Sequence, residues 1–334
     1  MNRRTLLKAL AAGIGISAIA GGGGYAWWRE HNSPQSDRIL EGWGEAGRGK
    51  WLIPNLRNAK LVVPDRPHSK DEAMQAQVKG MIGRTRSCRV NSNAHRQRGS
   101  RPFEAKQPGT KRWLAIGDSV TFGWGVEDEE SWPAQLEAQL REQGHAVELI
   151  NYGVPAQRID AMADFLRNVA PGLDLDAVLL AERPEGNVRN YAKVLRGGMQ
   201  GVPGMPLMLV LPPISRFDPF GRNNWEREVR ELRAELPDVP VFDATAQLWE
   251  AQRGRGGADM EVVANTLRLL VDGQVLVEAT RPQFDLPASF YAAFEDDPQL
   301  KEPLFFDEGH PDAEGFGVLV QHLIPELERQ RWLP

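Results

Sequence analysis

A Gly-Asp-Ser triplet follows an apolar run in RWLAIGDSVTFGWGV, residues 112–126. A serine hydroxyl is a weak nucleophile until a neighbouring base takes its proton. Roughly 190 residues later, Asp307 and His310 stand three positions apart in FFDEGHPDAEG. If that segment curls into one turn, the Asp307 carboxylate can orient the His310 imidazole, which then serves Ser119 as a base. Such an arrangement of residue types is one that nucleophilic catalysis by a serine would use.

Each of the two motifs, taken alone, also has a structural interpretation. Asp118 or Ser119 would cap a helix that begins after a break at Gly117, since both residue types are favoured caps. A single Asp-x-x-His is equally compatible with a turn residue followed by a surface histidine. The interpretation therefore depends on where the surrounding elements place the motifs.

From Lys111 onward, apolar runs alternate with amphipathic stretches, which predicts strands that alternate with helices. The predicted strands are RWLAIG, VELINYG, DAVLLAE, PLMLVLPP and VPVFDA; the predicted helices include SWPAQLEAQLREQG, IDAMADFLRNVA and NNWEREVRELRAEL. This alternation predicts an α/β fold, a three-layer α/β/α sandwich of the flavodoxin-like kind around a five-stranded, mainly parallel sheet. Ligands of such sheets bind at the carboxyl ends of the strands. Ser119 directly follows one of these ends.

The motifs, in this order, resemble those of the SGNH/GDSL hydrolase family. The triplet at 117–119 matches the first block, INYGVP matches the second, and Asp307 to His310 match the last. The resemblance covers roughly Lys111 to the C-terminus, and RVNSNAHR also resembles a segment that precedes the domain in some members. It implies that Ser119 is the nucleophile, His310 the base and Asp307 the acid that orients it. It also implies that the backbone N–H groups of Ser119 and Gly153 bind the oxyanion.

The third block of that family, Gly-x-Asn-Asp, is absent. The strand DAVLLAE runs into RPEGNVRN, and Glu185 falls near the position of the missing Asn. A carboxylate that faced a developing oxyanion would raise the barrier, so Glu185 is not a simple replacement. We therefore predict that a longer loop brings Asn187 to the oxyanion hole; the alternatives are a diverged site or a turn at Gly186-Asn187.

The N-terminal thirty residues resemble an export segment. NRRTLLK resembles a twin-arginine motif, and the chain then carries no charge from Ala9 to Trp28. Cleavage after a small-x-small site would remove this segment, whereas an uncleaved segment would be just long enough to span a membrane. We predict a signal peptide or membrane anchor at 1–29 and an exported protein, either periplasmic or extracellular, or anchored so that it faces outside.

Residues 30–110 are rich in Gly, Pro, Arg and Asn, and we predict an N-terminal extension there, with short strands in WLIPNLRNAKLVVP and at most an edge strand in RSCRVNSNAHRQRG. The hydrolase-like domain then spans 111–334, with an insert at about 252–303. In this insert, Asp272-Gly273 between two apolar runs predicts a β-hairpin.

Composition narrows the classes of function. The net charge of −5 argues against general nucleic-acid binding. The single cysteine excludes an intrachain disulfide, and the six histidines show no zinc-ligand spacing, so we predict neither metal nor cofactor. The predicted partner is an acyl ester, either lipid or acetylated polysaccharide. Three functions stay open: a serine esterase, a polysaccharide O-acyltransferase that uses the same residues, and a non-catalytic binding protein.

Overall fold

The computed structural model describes residues 37–64, 85–184, 187–214, 225–256, 258–263, 266–271, 274–280, 304–305 and 309–333. Its central sheet has five strands: β5 (Lys111–Gly117), β6 (Val147–Gly153), β7 (Ala177–Ala181), β8 (Leu207–Leu211) and β9 (Val241–Asp243). They are all parallel and lie in the order β6-β5-β7-β8-β9. The predicted fold class is thus confirmed, with a sheet that is parallel throughout.

Seven α-helices lie in the described part of the chain: α1 (Ser119–Phe122), α2 (Trp132–Glu142), α3 (Ile159–Asn168), α4 (Val188–Met199), α5 (Trp225–Glu235), α6 (Thr245–Gly256) and α7 (Ala313–Arg329). Side chains alternate along the central strand β5. Trp113 and Ala115 enter a core with α2, α6 and α7, whereas Leu114 and Ile116 enter a core with α3, α4 and α5. Because both faces of the sheet are covered, its strands are apolar along nearly their whole length.

The segment before the sheet forms two antiparallel pairs. These pair β1 (Leu40–Gly42) with β2 (Lys50–Leu52), and β3 (Ala59–Pro64) with β4 (Thr85–Val90). Trp51 of β2 is fully buried, and its ring centroid lies 4.8 Å from that of Phe165 on α3. The extension therefore contributes side chains to the same core as the sheet. The predicted domain boundaries at 29 and 110 stay predictions, and the first of them lies outside the described residues.

The insert contains a three-stranded antiparallel sheet of β10 (Ala258–Val263), β11 (Thr266–Val271) and β12 (Gln274–Thr280). The predicted hairpin is confirmed by the pairing of β11 with β12, while its turn at Asp272-Gly273 lies outside the described residues. On β12, Val275 and Leu276 are about half exposed. Strand β10 and helix α4 were not predicted.

Among the residues that the structure describes, no helix is both long enough and apolar enough to cross a membrane. The predicted export segment at 1–29 lies outside them.

Candidate active site

The turn that carries Ser119 begins where β5 ends. Asp118 caps helix α1, because its Oδ1 accepts a hydrogen bond from the Val120 N–H at 2.8 Å. The cap is thus Asp118, and Ser119 is the first residue of the helix. The helix closes at Gly123, whose φ of +81° suits glycine. The N–H groups of Gly123 and Trp124 both donate to the Ser119 carbonyl, at 3.0 and 2.9 Å.

Two glycines make room for this turn. Gly117 and Gly153 are paired in register at the carboxyl ends of β5 and β6. A Cβ at Gly153 would lie 2.1 Å from the Phe122 nitrogen and 2.4 Å from the Thr121 carbonyl carbon. A Cβ at Gly117 would lie 2.2 Å from the Ala181 carbonyl oxygen. The turn can therefore fold back over the sheet edge because neither strand has a side chain there.

His310 lies close to a set of contacts between the described residues before and after it. Leu304 and Phe305 are buried, Phe305 bridges to Pro311, and the Asp312 N–H donates to the Leu304 carbonyl at 2.9 Å. Asp312 then caps α7, since its side chain accepts from the Gly315 N–H at 2.8 Å. These contacts thus join the described residues on either side of 306–308 to each other and to helix α7.

His310 Nε2 lies 2.8 Å from Ser119 Oγ. When the neutral imidazole carries its proton on Nδ1, Nε2 accepts a hydrogen bond from the serine hydroxyl. The indole of Trp124 packs beside the imidazole, with 6.2 Å between the ring centroids. Two of the three residues predicted to act together are therefore in contact, although 191 positions separate them in the chain. Asp307 lies in 306–308, outside the described residues.

The backbone N–H of Gly153, which is predicted to bind the oxyanion, already has a hydrogen-bond acceptor in the structure. Its N–H donates to Asn151 Oδ1 at 2.8 Å. The Asn151 amide Nδ2 in turn donates to the Thr121 carbonyl at 3.0 Å, so Asn151 links the end of β6 to the nucleophile turn. An oxyanion role for Gly153 requires that its N–H be shared between Asn151 and the ligand. The Asn-x-Gly spacing in INYGVP is the sequence feature that could have predicted the contact of Asn151 with Gly153.

The segment after β7 carries Asn187, which is predicted to donate to the oxyanion hole. Asn187 is exposed and caps α4, its Oδ1 accepting from the Asn190 N–H at 3.0 Å. Its predicted role in the oxyanion hole stays a prediction. Glu185 lies outside the described residues.

Arg183, two residues past the end of β7, makes a network that sequence reasoning missed. Its guanidinium contacts Glu228 of α5 at 2.9 Å, Asp243 of β9 at 3.0 Å and Thr245 at 3.1 Å, and it donates to the Pro212 carbonyl after β8. Arg183 therefore ties the carboxyl ends of three neighbouring strands together, in the region where the family carries Gly-x-Asn-Asp.

Electrostatics single out Asp118 beside the Ser119–His310 pair. Burial raises the pKa of the Asp118 carboxyl to about 6, while the hydrogen bond from Val120 and the nearby His310 act to lower it. The cap residue is therefore a group that titrates just below neutral pH.

We expect the Asp118 carboxyl to make folding stability pH-dependent. Its pKa is raised from 3.8 to about 6 in the folded chain, so the folded state holds this proton more tightly than the unfolded state. Relative to Asp118→Asn, which keeps the capping oxygen, the wild-type free energy of unfolding should therefore fall by about 2 kcal/mol between pH 4 and pH 7. Urea unfolding of both proteins across this range measures the difference, and parallel pH profiles would contradict the expectation.

The fold and this site describe an α/β/α protein with a serine–histidine pair at the carboxyl edge of its sheet. The model of the GDSL-like lipase/acylhydrolase family matches residues 115–318. The match spans more than half of the chain, which therefore belongs to the GDSL-like lipase/acylhydrolase family. The resemblance expected from the three motif blocks is thus confirmed. A comparison with curated proteins gave no match.

Solved structures that resemble the chain come from several bacteria. The lipase/acylhydrolase of Enterococcus faecalis is 15% identical, with 67% of this chain and 98% of that chain covered and a TM-score of 0.41. The psychrotrophic esterase EstA of Pseudoalteromonas sp. is 11% identical, with 66% and 98% covered and a TM-score of 0.41. A catalytic mutant of the acetylxylan esterase Axe2 of Geobacillus stearothermophilus is 14% identical, with 66% and 96% covered and a TM-score of 0.41.

Proposed function

We propose that the protein is a serine esterase that cleaves an oxygen ester through an acyl-enzyme. The observation that carries this proposal is the 2.8 Å contact between Ser119 Oγ and His310 Nε2. It lies at the carboxyl edge of a parallel sheet, where proteins of this fold bind their ligands. Membership of an acylhydrolase family supports the same class of reaction.

In the acylation step, Ser119 Oγ attacks the carbonyl carbon of the ester, and its proton passes to His310 Nε2. The tetrahedral intermediate then collapses: the bond to the alcohol oxygen breaks, and the leaving alcohol takes the proton from Nε2. In the second step, water attacks the acyl-serine and gives its proton to His310. The acid is released and Ser119 recovers its proton.

The oxyanion of each tetrahedral intermediate needs donors that are already in place. We assign this role to the backbone N–H groups of Ser119 and Gly153 and to the side-chain amide of Asn187. We further assign to Asp307 the orientation of His310 through its second ring nitrogen, which would hold the tautomer that the first step needs. These roles come from the family blocks and from the positions of the residues along the chain.

Substitution of Asn187 separates its capping from its proposed catalytic role. Asn187→Ser keeps a favoured cap for α4 but removes the amide donor. We expect kcat to fall by about 10²- to 10³-fold with little change in KM, since the lost interaction is strongest in the transition state. Thermal unfolding should match that of the wild type. An unchanged kcat would limit Asn187 to the capping seen at its Oδ1.

The direct test of the proposed function is labelling by a fluorophosphonate probe, followed by mass spectrometry of the modified peptide. An activated serine attacks such a probe, so we expect label on Ser119 and turnover of at least one member of a panel of acyl esters. Absence of both would favour the non-catalytic binding protein. An acetylated xylan belongs in the panel, because one of the similar structures is an acetylxylan esterase.

An O-acyltransferase would use the same residues, with a sugar hydroxyl in place of water in the second step. Incubation of the protein with an acyl donor and an oligosaccharide distinguishes the two reactions. Mass spectrometry would show a free acid for the esterase and an acylated sugar for the transferase.

We propose that the protein acts outside the cytoplasm, either released or held at the membrane by its N-terminal segment. The support is the NRRTLLK motif followed by an uncharged stretch. Replacement of Arg3 and Arg4 by lysine should retain the protein in the cytoplasm, as measured by cell fractionation. Normal export of this variant would contradict the twin-arginine route.

A further inference from the structure

Arg98 stands out among the buried charges of the described residues. Its side chain is 1% exposed, and it lies in the extension, before the region that the family model matches. Its Nε donates to Asp128 Oδ1 at 2.8 Å. Its terminal nitrogens donate to the carbonyls of Phe122, of Gly123 at 2.7 Å and of Val126 at 2.6 Å.

All of these acceptors belong to one short stretch, residues 122–128, that begins at the last residue of the helix of Ser119. The guanidinium also stacks over the Phe122 ring, 4.3 Å from its centroid. The contact leaves no room for a side chain at Gly123, because a Cβ there would lie 2.7 Å from a terminal nitrogen of Arg98. A planar fork with five donors suits such a set of carbonyls, whereas a lysine ammonium does not.

The stretch 122–128, which Arg98 contacts, also contains the residues that hydrogen-bond to Ser119. The N–H groups of Gly123 and Trp124 donate to the Ser119 carbonyl, and the Trp124 ring packs beside His310. The main chain of Arg98 makes a further link, since its N–H donates to the Asn151 carbonyl at 2.9 Å. Arg98 thus ties together the nucleophile turn and the end of β6.

We propose that Arg98 is a positioning residue that fixes Ser119 against His310, so that the N-terminal extension supplies part of the active-site framework. This proposal rests on the proposed function, because positioning is measured here through the reactivity of Ser119. It assigns to the extension a task beyond packing. Small displacements of a nucleophile are costly, and a shift of about 1 Å can lower a rate by about 10²-fold.

The chain offers a matched control in Arg112. Its side chain is 3% exposed, pairs with Glu148 at 2.7 Å, donates to the carbonyls of Glu104 and Leu173, and stacks on the Phe103 ring. Arg112 lies at the amino end of β5, the end of that strand opposite to Ser119. Its loss should cost stability through the same kinds of contact without reaching the site.

The experiment compares Arg98→Lys with Arg112→Lys in ester turnover and in the rate of fluorophosphonate labelling. For Arg98→Lys we expect kcat and the labelling rate to fall by about 10- to 100-fold with KM within about twofold. For Arg112→Lys we expect both rates to stay within about twofold, even though thermal unfolding shows a comparable loss of stability. If the lysine variant at position 98 does not fold, the double variant Arg98→Gln with Asp128→Asn takes its place, because an amide N–H can still donate to the carbonyls and no buried carboxylate is left without its ion-pair partner.

Hydrogen exchange adds a readout that does not depend on turnover. The amides of Gly123 and Trp124 should exchange faster in the Arg98 variant than in the Arg112 variant. Wild-type rates of labelling and turnover in a folded Arg98 variant would overturn the proposal while leaving the proposed function intact. A wild-type protein that neither labels nor turns over any ester would overturn both.

Discussion

Replacement of Ser119 or His310 by alanine should abolish ester turnover while leaving the fold intact. In the proposed mechanism the two side chains form one unit, because His310 takes the proton of the Ser119 hydroxyl and so makes its oxygen nucleophilic. We expect kcat to fall by on the order of 10⁴ or more for each single variant. The double variant should be no worse than either single one, since members of such a unit lose activity non-additively. Steady-state kinetics on purified variants measures all three.

His322→Ala is the matched control for the histidine, because His322 is exposed on α7, the helix that follows the His310 loop. It should retain wild-type turnover. Thermal unfolding should place Ser119→Ala close to the wild type, as the lost hydrogen bond is worth only about 1 kcal/mol. Ester hydrolysis above background by Ser119→Ala would refute the assignment of the nucleophile.

Substitution of Gly153 by alanine should be among the most damaging single changes in the described chain. The added methyl would overlap the backbone of Thr121 and Phe122 at 2.4 Å and 2.1 Å, and backbone atoms cannot rotate away as a side chain would. We expect a loss of about 3 kcal/mol or more in the free energy of unfolding, at or beyond the usual upper range for overpacking. Urea unfolding measures this loss, and kcat of the folded fraction should also fall, as the turn that carries Ser119 must move.

Alanine keeps the backbone N–H, so this variant reports the packing of the turn and not the presence of an oxyanion donor. Gly172→Ala is the control, since a Cβ there has no described atom within 4 Å and the backbone needs no positive φ. It should unfold within about 0.5 kcal/mol of the wild type. Equal stability of the two variants would show that the turn does not pack on Gly153 as described.

The strands of the sheet and the Asp312 cap were predictable because their signals are local. A buried parallel strand is a short apolar run, and a capping aspartate stands directly before its helix. The family blocks strengthened the pairing of Ser119 with His310, because residue types alone left a structural interpretation of each motif open. Helix α4 was not predicted, although Val188, Tyr191 and Leu195 mark a buried face. Its Gly198 packs closely on Ala163 of α3, where a Cβ would lie 2.7 Å from the Ala163 Cα.

The polar contacts around the site could not be predicted from the sequence. Arg98, Asn151 and Arg183 each have partners that are set by the approach of distant segments. A sequence shows that a charge is present, but the choice between a solvated side chain and a buried one depends on which carbonyls and carboxylates the fold brings within reach. The sequence accordingly predicts a loop with at most an edge strand for the run that contains Arg98, and no pattern in it points to Arg183.

The separation of 191 positions between Ser119 and His310 has a consequence for synthesis of the protein. The nucleophile turn and its sheet neighbours leave the ribosome long before the loop at 304–312 and helix α7 are made. Under the proposed function, the ribosome-bound chain would therefore carry its serine without a base until the segment of His310 and helix α7 have been made. Ester cleavage would begin only when that segment has packed against the sheet.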